Sequence, residues 1–192
     1  MTRLTEVLQE IDRINAGDPN LDPEGIPKEL VYSRRMTQML ADFHPEASEL
    51  LQIAARSQHI QRWIIPRNTF PMDRIGYLTW RTKLKKLHAT LTGELMQKCG
   101  YPTADIRRVD DLLNKRQLKK DADVQCLEDV TCLVFLSFYF EDFLAKHEAE
   151  SEKVVDILRK TWKKMSPTGH FAALNLSYSE DALTLIKRAI ED

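Results

Sequence analysis

The chain has 192 residues, of which 43% are hydrophobic, and a formal net charge of −1 at pH 7. That length is enough to bury one sizeable core, so we predict a single domain, and the near-zero charge gives no overall sign of a nucleic-acid or membrane partner. Cys99, Cys126 and Cys132 have no C-x-x-C spacing, which predicts reduced thiols in a cytoplasmic protein. Because no apolar run approaches about 18 residues and the N-terminus lacks a signal-peptide core, we predict no membrane partner.

Apolar residues at helical spacing predict helices along almost the whole chain, without strand alternation or internal repeats. In chain order the predicted helices are "TRLTEVLQEIDRIN", "IPKELVYSRRMTQMLADF", "PEASELLQIAARSQHIQRW", "DRIGYLTWRTKLKKLHATLTGELMQKC", "TADIRRVDDLLNKRQ", "DADVQCLEDVTCLVFLSFYFEDFLAKH", "SEKVVDILRKTWKKM" and a last helix opened by Ser177 and Glu180 at capping-box spacing. We predict a loop at "SPTGHF". The fold class is therefore predicted to be an all-α helical bundle of about seven to nine helices.

Basic residues are concentrated in the middle of the chain. Between Leu51 and Gly93 there are eight Arg or Lys residues and a single acid, Asp73. Such a stretch is typical of a solvated face paired with acidic helices, and it is also what an anion-binding site requires. Both interpretations stay open at this stage.

Helical angles place polar groups on inward faces of the third and fourth predicted helices. At about 100° per residue, Gln52, Arg56, His59 and Trp63 fall on one narrow stripe of the third helix, beside its apolar stripe. On the fourth helix, Arg81 and His88 share a face with leucines. We expect these side chains to be partly desolvated and to need partners.

Asp129 is predicted to be buried on the sixth helix. It shares a stripe with Leu133, Leu136 and Phe140, and burying a carboxylate is costly unless it meets a cation, a metal or strong hydrogen-bond donors. One interpretation is that Asp129 pairs with an arginine and fixes two helices in register. The other is that it joins His59 and His88 in a functional site.

Five segments carry a resemblance over nearly the whole chain. They are "DRINAGDPN", "QHIQRWIIPR", "GYLTWR", "QCLEDVTCLVFL" and "LRKTWKKMS". Together they resemble the family known as domain of unknown function 4202. That family name implies no activity.

A more distant resemblance connects "SRRMTQMLADFHPEASELLQIAARSQHI" to the start of HD-domain phosphohydrolases. The family's His-Asp pair falls on Gln58 and His59, and its late Asp falls on Asp129. His88 stands where some HD proteins have an additional His. The position of the first His holds Tyr32 or Ser33, so only Asp129 matches the family's metal ligands. The resemblance implies an HD-like core at about residues 25–147, with C-terminal helices over 150–192 packed on it.

Two functions follow from these residues and the resemblance. The first is an HD-like hydrolase of a phosphorylated or nucleotide-like small molecule, in which His59 and Asp129 are catalytic. In this hypothesis His59, His88 and Asp129 either hold one divalent metal, which would be zinc, iron or manganese, or act as acid and base. Equally, the metal is lost and the pocket binds phosphate through its arginines. The predicted anion-binding residues are Arg56, Arg62, Trp63, Arg67, Arg81 and Lys85.

The alternative is a non-catalytic module on a degenerate HD fold. It would bind an anion or RNA through the same basic residues, with Trp63, Tyr77 or Phe70 stacking on bases. Metal content, and whether the basic residues line a closed pocket or an open groove, would distinguish the two hypotheses.

Overall fold

A computed structural model describes residues 2–147 and 149–191 of the chain. The described residues form ten α-helices and two short 3₁₀ turns, so the all-α prediction is confirmed, with one helix more than the upper end of the predicted range. The α-helices are α1 Arg3–Asn15, α2 Lys28–Phe43, α3 Glu49–Arg56, α4 Arg74–Lys98, α5 Thr103–Leu113, α6 Ala122–Phe138, α7 Phe140–Lys146, α8 Ser151–Lys164, α9 Pro167–Leu174 and α10 Glu180–Ile190. The 3₁₀ turns are Arg62–Ile64 and Arg67–Thr69.

Side-chain caps explain where several helices begin. Ser48, Asp73, Asp121 and Ser166 each accept a backbone N–H of the first turn of the helix that follows. Such caps satisfy donors that have no partner within the helix. The last helix is capped in the same way by Ser179, so the prediction that Ser177 opens it was wrong by two residues.

The predicted third helix was too long. Periodicity extended it to Trp63, but α3 ends at Arg56 and the chain then turns through Gln61, which has a left-handed φ of 53°. The prediction of one helical stripe is therefore wrong, because only Gln52 and Arg56 lie on α3, and His59 and Trp63 lie beyond its end.

Two predictions near the C-terminal half also need correction. The sixth predicted helix is interrupted at Tyr139 and continues as α7. The segment predicted as a loop at "SPTGHF" forms α9, because Ser166 caps it and Pro167 suits the first helical position. His170 therefore lies on a helix.

The described residues group into two compact units, within Met1–Arg116 and Gln117–Asp192. The first contains α1–α5, and its core includes Ile11, Met36 and Ile53. The second contains α6–α10, and its core includes Leu127 and Leu133. The predicted arrangement of one domain, with a core at 25–147 and C-terminal helices packed on it, stays a prediction. Among the helices described, none is long and apolar enough to cross a bilayer.

Candidate functional site

The turn that follows α3 carries His59 and is held by the N-terminal helix. The hydroxyl of Ser57 donates to the carbonyl of Ile53 as α3 ends. The backbone N–H of Gln61 then donates to Oδ1 of Asn15, a fully buried residue at the end of α1, at 3.0 Å. Asn15 therefore fixes the turn and positions the side chains on either side of Gln61.

Glu29 faces His59 from the first turn of α2. Its Oε2 lies 3.3 Å from Nδ1 of His59, and its Oε1 lies 3.5 Å from Nη1 of Arg62. Asp18 helps to set this position, because its Oδ2 accepts the Glu29 backbone N–H at 3.0 Å. The His59 ring also stacks on Tyr32, with centroids 3.9 Å apart and planes at 10°. His59 thus contacts both a carboxylate and an aromatic ring.

The surroundings favour the neutral form of both members of this pair. Burial raises the pKa of Glu29 above its ordinary value, and the neighbouring Arg62 offsets part of that rise. Burial also holds the pKa of His59 well below its ordinary value, and the charges of Arg62, Lys115 and Arg81 lower it further. His59 is therefore neutral at pH 7, although a quarter of its side chain is exposed. Its contact with Glu29 is longer than an ordinary N–H···O hydrogen bond.

His88 on α4 supplies a second neutral imidazole. Its Nδ1 lies 2.8 Å from the carbonyl oxygen of Ile60, and because a carbonyl only accepts, Nδ1 carries the proton and Nε2 keeps a lone pair. Burial, reinforced by His59, lowers the pKa of His88 to about 3. The two imidazole centroids are 6.0 Å apart. The site therefore contains two adjacent imidazoles that are both uncharged at pH 7.

Cations and aromatic rings alternate from this site along the start of α4. The guanidinium carbon of Arg62 lies 5.0 Å from the centre of the Trp80 ring, and that of Arg67 lies 6.0 Å from both Trp80 and Tyr77. Arg81 lies 5.8 Å from the Tyr77 ring. These distances allow cation–π attraction. We call Arg62, Trp80, Arg67, Tyr77 and Arg81 the cation–aromatic series.

The guanidinium of Arg56 is held by two other residues of the first unit, Asp12 and Thr37. Its Nε and Nη2 donate to the two carboxylate oxygens of Asp12 at 2.8 and 2.7 Å, and its Nη1 donates to the Thr37 hydroxyl at 3.1 Å. Only 14% of its side chain is exposed. These contacts fasten α3 to α1 and leave few donors for a ligand, so they do not favour the predicted role of Arg56 in anion binding, which stays a prediction.

The other predicted anion-binding residues lie in the same unit. Trp63 is half-buried in the first 3₁₀ turn. Arg67 donates to the carbonyls of Phe70 and Asp73 at 3.1 and 3.3 Å, which fixes the loop before α4. Lys85 is half-buried on α4. Of the predicted set, the structure brings Arg62 and Arg81 into the surroundings of His59.

Asp129 lies on α6 in the second unit and accepts hydrogen bonds from Ser166, the residue that caps the start of α9. Its Oδ1 accepts the backbone N–H of Ser166 at 2.8 Å and Nε2 of Gln125 at 3.0 Å, and its Oδ2 accepts the Ser166 hydroxyl at 2.6 Å. A Cβ at Gly169 would lie 2.6 Å from Oδ1, so α9 approaches this closely only because glycine stands there. Burial of Asp129 was predicted correctly. Its hydrogen-bond donors here are a serine and a glutamine, whereas the sequence had suggested either an arginine or a site shared with His59 and His88.

The proposed metal ligands were His59, His88 and Asp129. The first two are in one unit and the third is in the other, and their joint role stays a prediction. In the described parts of the chain, no group of three or more His, Cys, Asp or Glu side chains is arranged to hold a metal ion.

Sequence reasoning missed three residues of this site, namely Glu29, Tyr32 as the ring that stacks on His59, and Lys115. An acid in the first turn of a helix is ordinarily explained by the helix dipole, so Glu29 carried no distinguishing signal. Lys115 follows α5 with a left-handed φ of 56°, and nothing in the sequence relates it to His59. The segment "DRINAGDPN", which carries part of the family resemblance, also contains Asn15 and Asp18, which position the turn at Gln61 and the start of α2 at Glu29. Asp12 of the same segment binds Arg56.

Comparison with known proteins identifies the family. The family model described as "Domain of unknown function (DUF4202)" matches residues 5–186. The chain belongs to this DUF4202 family. No curated protein and no solved structure matches the chain. The DUF4202 assignment agrees with the resemblance drawn from the five sequence segments, and the site around His59 lies inside the matched region.

Proposed function

We propose that the first unit binds a phosphorylated or nucleotide-like small molecule at His59 and hydrolyses it. The observation that carries this proposal is that His59 contacts a carboxylate and lies near three cations, Arg62, Lys115 and Arg81, which add to the effect of burial in lowering the pKa of the histidine. Guanidinium and ammonium groups bind phosphate oxygens, and a histidine beside a carboxylate is the usual general base. The proposal keeps the hydrolase activity that the distant resemblance to HD-domain phosphohydrolases implies, and it rests on the contacts of His59.

The chemistry proposed for this site is acid–base catalysis of phosphoryl transfer to water. With its proton on Nδ1, facing Glu29, His59 has Nε2 available to take a proton from the attacking water. It then returns that proton to the leaving oxygen as the phosphorus–oxygen bond breaks. Arg62, Arg81 and Lys115 neutralise the charge that gathers on the phosphoryl oxygens, which is the main contribution of a protein to this reaction.

Binding of the anion would also activate the base. Burial makes His59 a weak base when the site holds no anion, and the three cations add to this effect because they also disfavour the imidazolium. A bound phosphate offsets their charge and raises the pKa of His59 towards neutrality, where a general base works best. Binding of the substrate would thus make His59 a stronger base for the reaction of that substrate.

The test combines binding and turnover on the full chain. Inorganic phosphate and a set of phosphomonoesters and nucleotides are added to the wild type, and thermal unfolding and phosphate release are measured. Phosphate should raise the melting temperature by mass action, and Arg62→Gln should abolish that rise. Arg74→Gln, at an exposed arginine at the start of α4, is the matched control and should respond like the wild type. Glu29→Gln and His59→Asn should stop turnover.

Each result has a definite meaning. If phosphate does not stabilise the wild type, or if Arg62→Gln and Arg74→Gln respond alike, the anion site is elsewhere. If phosphate binds at His59 but no phosphorylated compound is hydrolysed, the protein is a binding module and the catalytic part of the proposal is wrong.

A second candidate, RNA binding, is favoured by the cation–aromatic series. Alternating arginines and rings offer phosphate contacts and stacking surfaces, which is what single-stranded RNA uses. This candidate predicts affinity that rises with oligonucleotide length, falls steeply with salt and is reduced by Tyr77→Ala. A mononucleotide that binds as tightly as an oligonucleotide would exclude it.

The remaining proposals concern the predicted metal and location. A divalent metal held by His59, His88 and Asp129 would act as a Lewis acid on the phosphoryl group, and metal analysis of protein purified without chelators tests it. The acid–base steps above use only residues of the first unit. A cytoplasmic location is likewise proposed, on the basis of the reduced thiols predicted from cysteine spacing.

A further inference from the structure

Three aliphatic side chains project into solvent where the chain enters α4. Met72, Ile75 and Leu78 are 78%, 76% and 52% exposed. Ile75 and Leu78 are three residues apart on one helix and therefore neighbours on its surface, and Met72 lies just before that helix. We call these three residues the apolar tip. Single exposed apolar residues are ordinary, but a group of large ones is typical of a contact surface.

The loop that presents this tip is braced by specific contacts. A Cβ at Gly76 would lie 2.1 Å from the carbonyl oxygen of Pro71, so the loop lies directly against the first turn of α4 and requires glycine there. Asp73 caps the helix by accepting the Gly76 N–H at 2.7 Å. Arg67 donates to the carbonyl of Phe70 at 3.1 Å. The exposed position of Met72 is therefore part of a defined structure.

Cations lie beside the apolar tip and further along α4. Arg74 is exposed beside it, and Lys83 and Lys86 are exposed further along α4, with Lys86 about 12 Å beyond Leu78 along the helix axis. Asp73 is the single acid between Leu51 and Gly93, and its carboxylate is occupied with the helix N-terminus. The surface is thus aliphatic at its tip, with cations beside and behind it.

We infer that the apolar tip docks on an anionic membrane surface. Aliphatic side chains enter the boundary between headgroups and acyl chains, while Lys and Arg behind them contact lipid phosphates, which is the arrangement of peripheral membrane proteins. The charge of the surface complements anionic lipids and would be neutralised by them. Such docking uses no spanning helix, and it departs from the sequence-based prediction of no membrane partner, which rested on the lack of a long apolar run.

The side chains of the tip favour lipid over RNA. Stacking of bases requires rings or guanidinium planes, and Met72, Ile75 and Leu78 have neither. Phe70, which precedes the tip in the chain, is half-buried, and Nζ of Lys83 lies 5.1 Å from the centre of its ring. Nucleic acid would leave the aliphatic tip in water, whereas a bilayer removes it from water.

Vesicle co-sedimentation of the full chain tests this inference. Vesicles of phosphatidylcholine alone are compared with vesicles that also contain phosphatidylserine, at low and at physiological salt. We expect binding to the anionic vesicles to exceed binding to the neutral ones by about tenfold or more and to weaken with salt. The triple substitution Met72→Ser, Ile75→Ser and Leu78→Ser should reduce that binding about tenfold or more. Because the three side chains are exposed, the variant should melt like the wild type.

Matched controls define the outcomes. Leu21→Ser removes an aliphatic side chain that is also 52% exposed and should leave vesicle binding unchanged. Arg74→Gln with Lys83→Gln and Lys86→Gln should weaken binding to anionic vesicles only. The inference is overturned if the wild-type protein does not bind anionic vesicles, or if the triple serine variant binds them as well as the wild type does. It is also overturned if the triple serine variant loses affinity for oligouridylate instead, because the tip would then contact nucleic acid.

Discussion

Nδ1 of His59 lies 3.3 Å from Oε2 of Glu29, in a part of the first unit where burial and three cations lower the pKa of the histidine. A carboxylate beside an imidazole would ordinarily favour the imidazolium. For His59, burial and the cations outweigh this attraction, and for Glu29 burial raises the pKa although Arg62 lowers it, so both groups tend towards their neutral forms. In the function that we propose, an anion bound beside these cations would change the charge state of the pair, so we regard this contact as the centre of the site.

The pH dependence of stability should report on His88. Its pKa is lowered to about 3 in the folded protein from an ordinary 6.5. A lowered pKa contributes stability that is complete above the unfolded value and is lost as pH falls through the window down to the folded value. We expect the free energy of unfolding to fall by at most about 1.4 kcal/mol per pH unit for this histidine below about pH 6.5. His59, whose pKa is also lowered, acts in the same direction.

Urea unfolding at neutral and mildly acidic pH measures this effect. His88→Gln should be less stable than the wild type at neutral pH but should lose less stability on acidification. His44→Gln, at an exposed histidine, is the control and should keep the wild-type dependence. If the stability of His88→Gln depends on pH as strongly as that of the wild type, His88 binds a proton as readily in the folded state as in the unfolded state, and its pKa is not lowered.

Arg56 should be a structural residue. Its guanidinium is bidentate to Asp12 and largely buried. Arg56→Ala leaves the Asp12 carboxylate with Arg34 alone, at 3.9 Å, and should cost about 3 kcal/mol of stability. Arg56→Lys should also destabilise, because an ammonium cannot make the bidentate contact. The stabilisation by phosphate should persist in both variants. Thermal unfolding with and without phosphate checks this, and a stable Arg56→Ala variant that has lost its phosphate response would instead assign Arg56 to the anion site.

Asp129 should stabilise the second unit by fastening α9 to α6. Asp129→Ala removes the acceptor of three hydrogen bonds and should cost about 2 kcal/mol or more. In a double-mutant cycle, Asp129→Ala and Ser166→Ala should be strongly non-additive, because each removes the other's partner. Gly169→Ala should destabilise as well, since its Cβ would collide with the Asp129 carboxylate. Additive effects would contradict this role, and an Asp129→Asn variant of unchanged stability that loses turnover or bound metal would support the catalytic hypothesis.

Helix positions were predictable because amphipathic periodicity and caps are local properties of the sequence. The end of α3 was not, because the apolar spacing continues past Arg56 while the turn at Gln61 is held by Asn15 from a distant helix. For the same reason Asp129 was recognised as buried, from its apolar neighbours, but its partner Ser166 lies 37 residues further along the chain. Glu29 was invisible because only tertiary contacts distinguish it from an ordinary first-turn acid.

The central claim is that an anion bound near His59 changes the protonation of that histidine. A titration of the full chain with inorganic phosphate, followed by NMR of the histidine side-chain nitrogens, tests it most directly. Before phosphate is added, His59 and His88 should both give neutral imidazole signals at pH 7, with the proton of His88 on Nδ1. Phosphate should shift the His59 signals saturably towards those of the imidazolium, while His88 stays neutral, and Arg62→Gln should prevent the shift. A His59 resonance that does not respond to phosphate, or one that is already that of an imidazolium without it, would contradict the account.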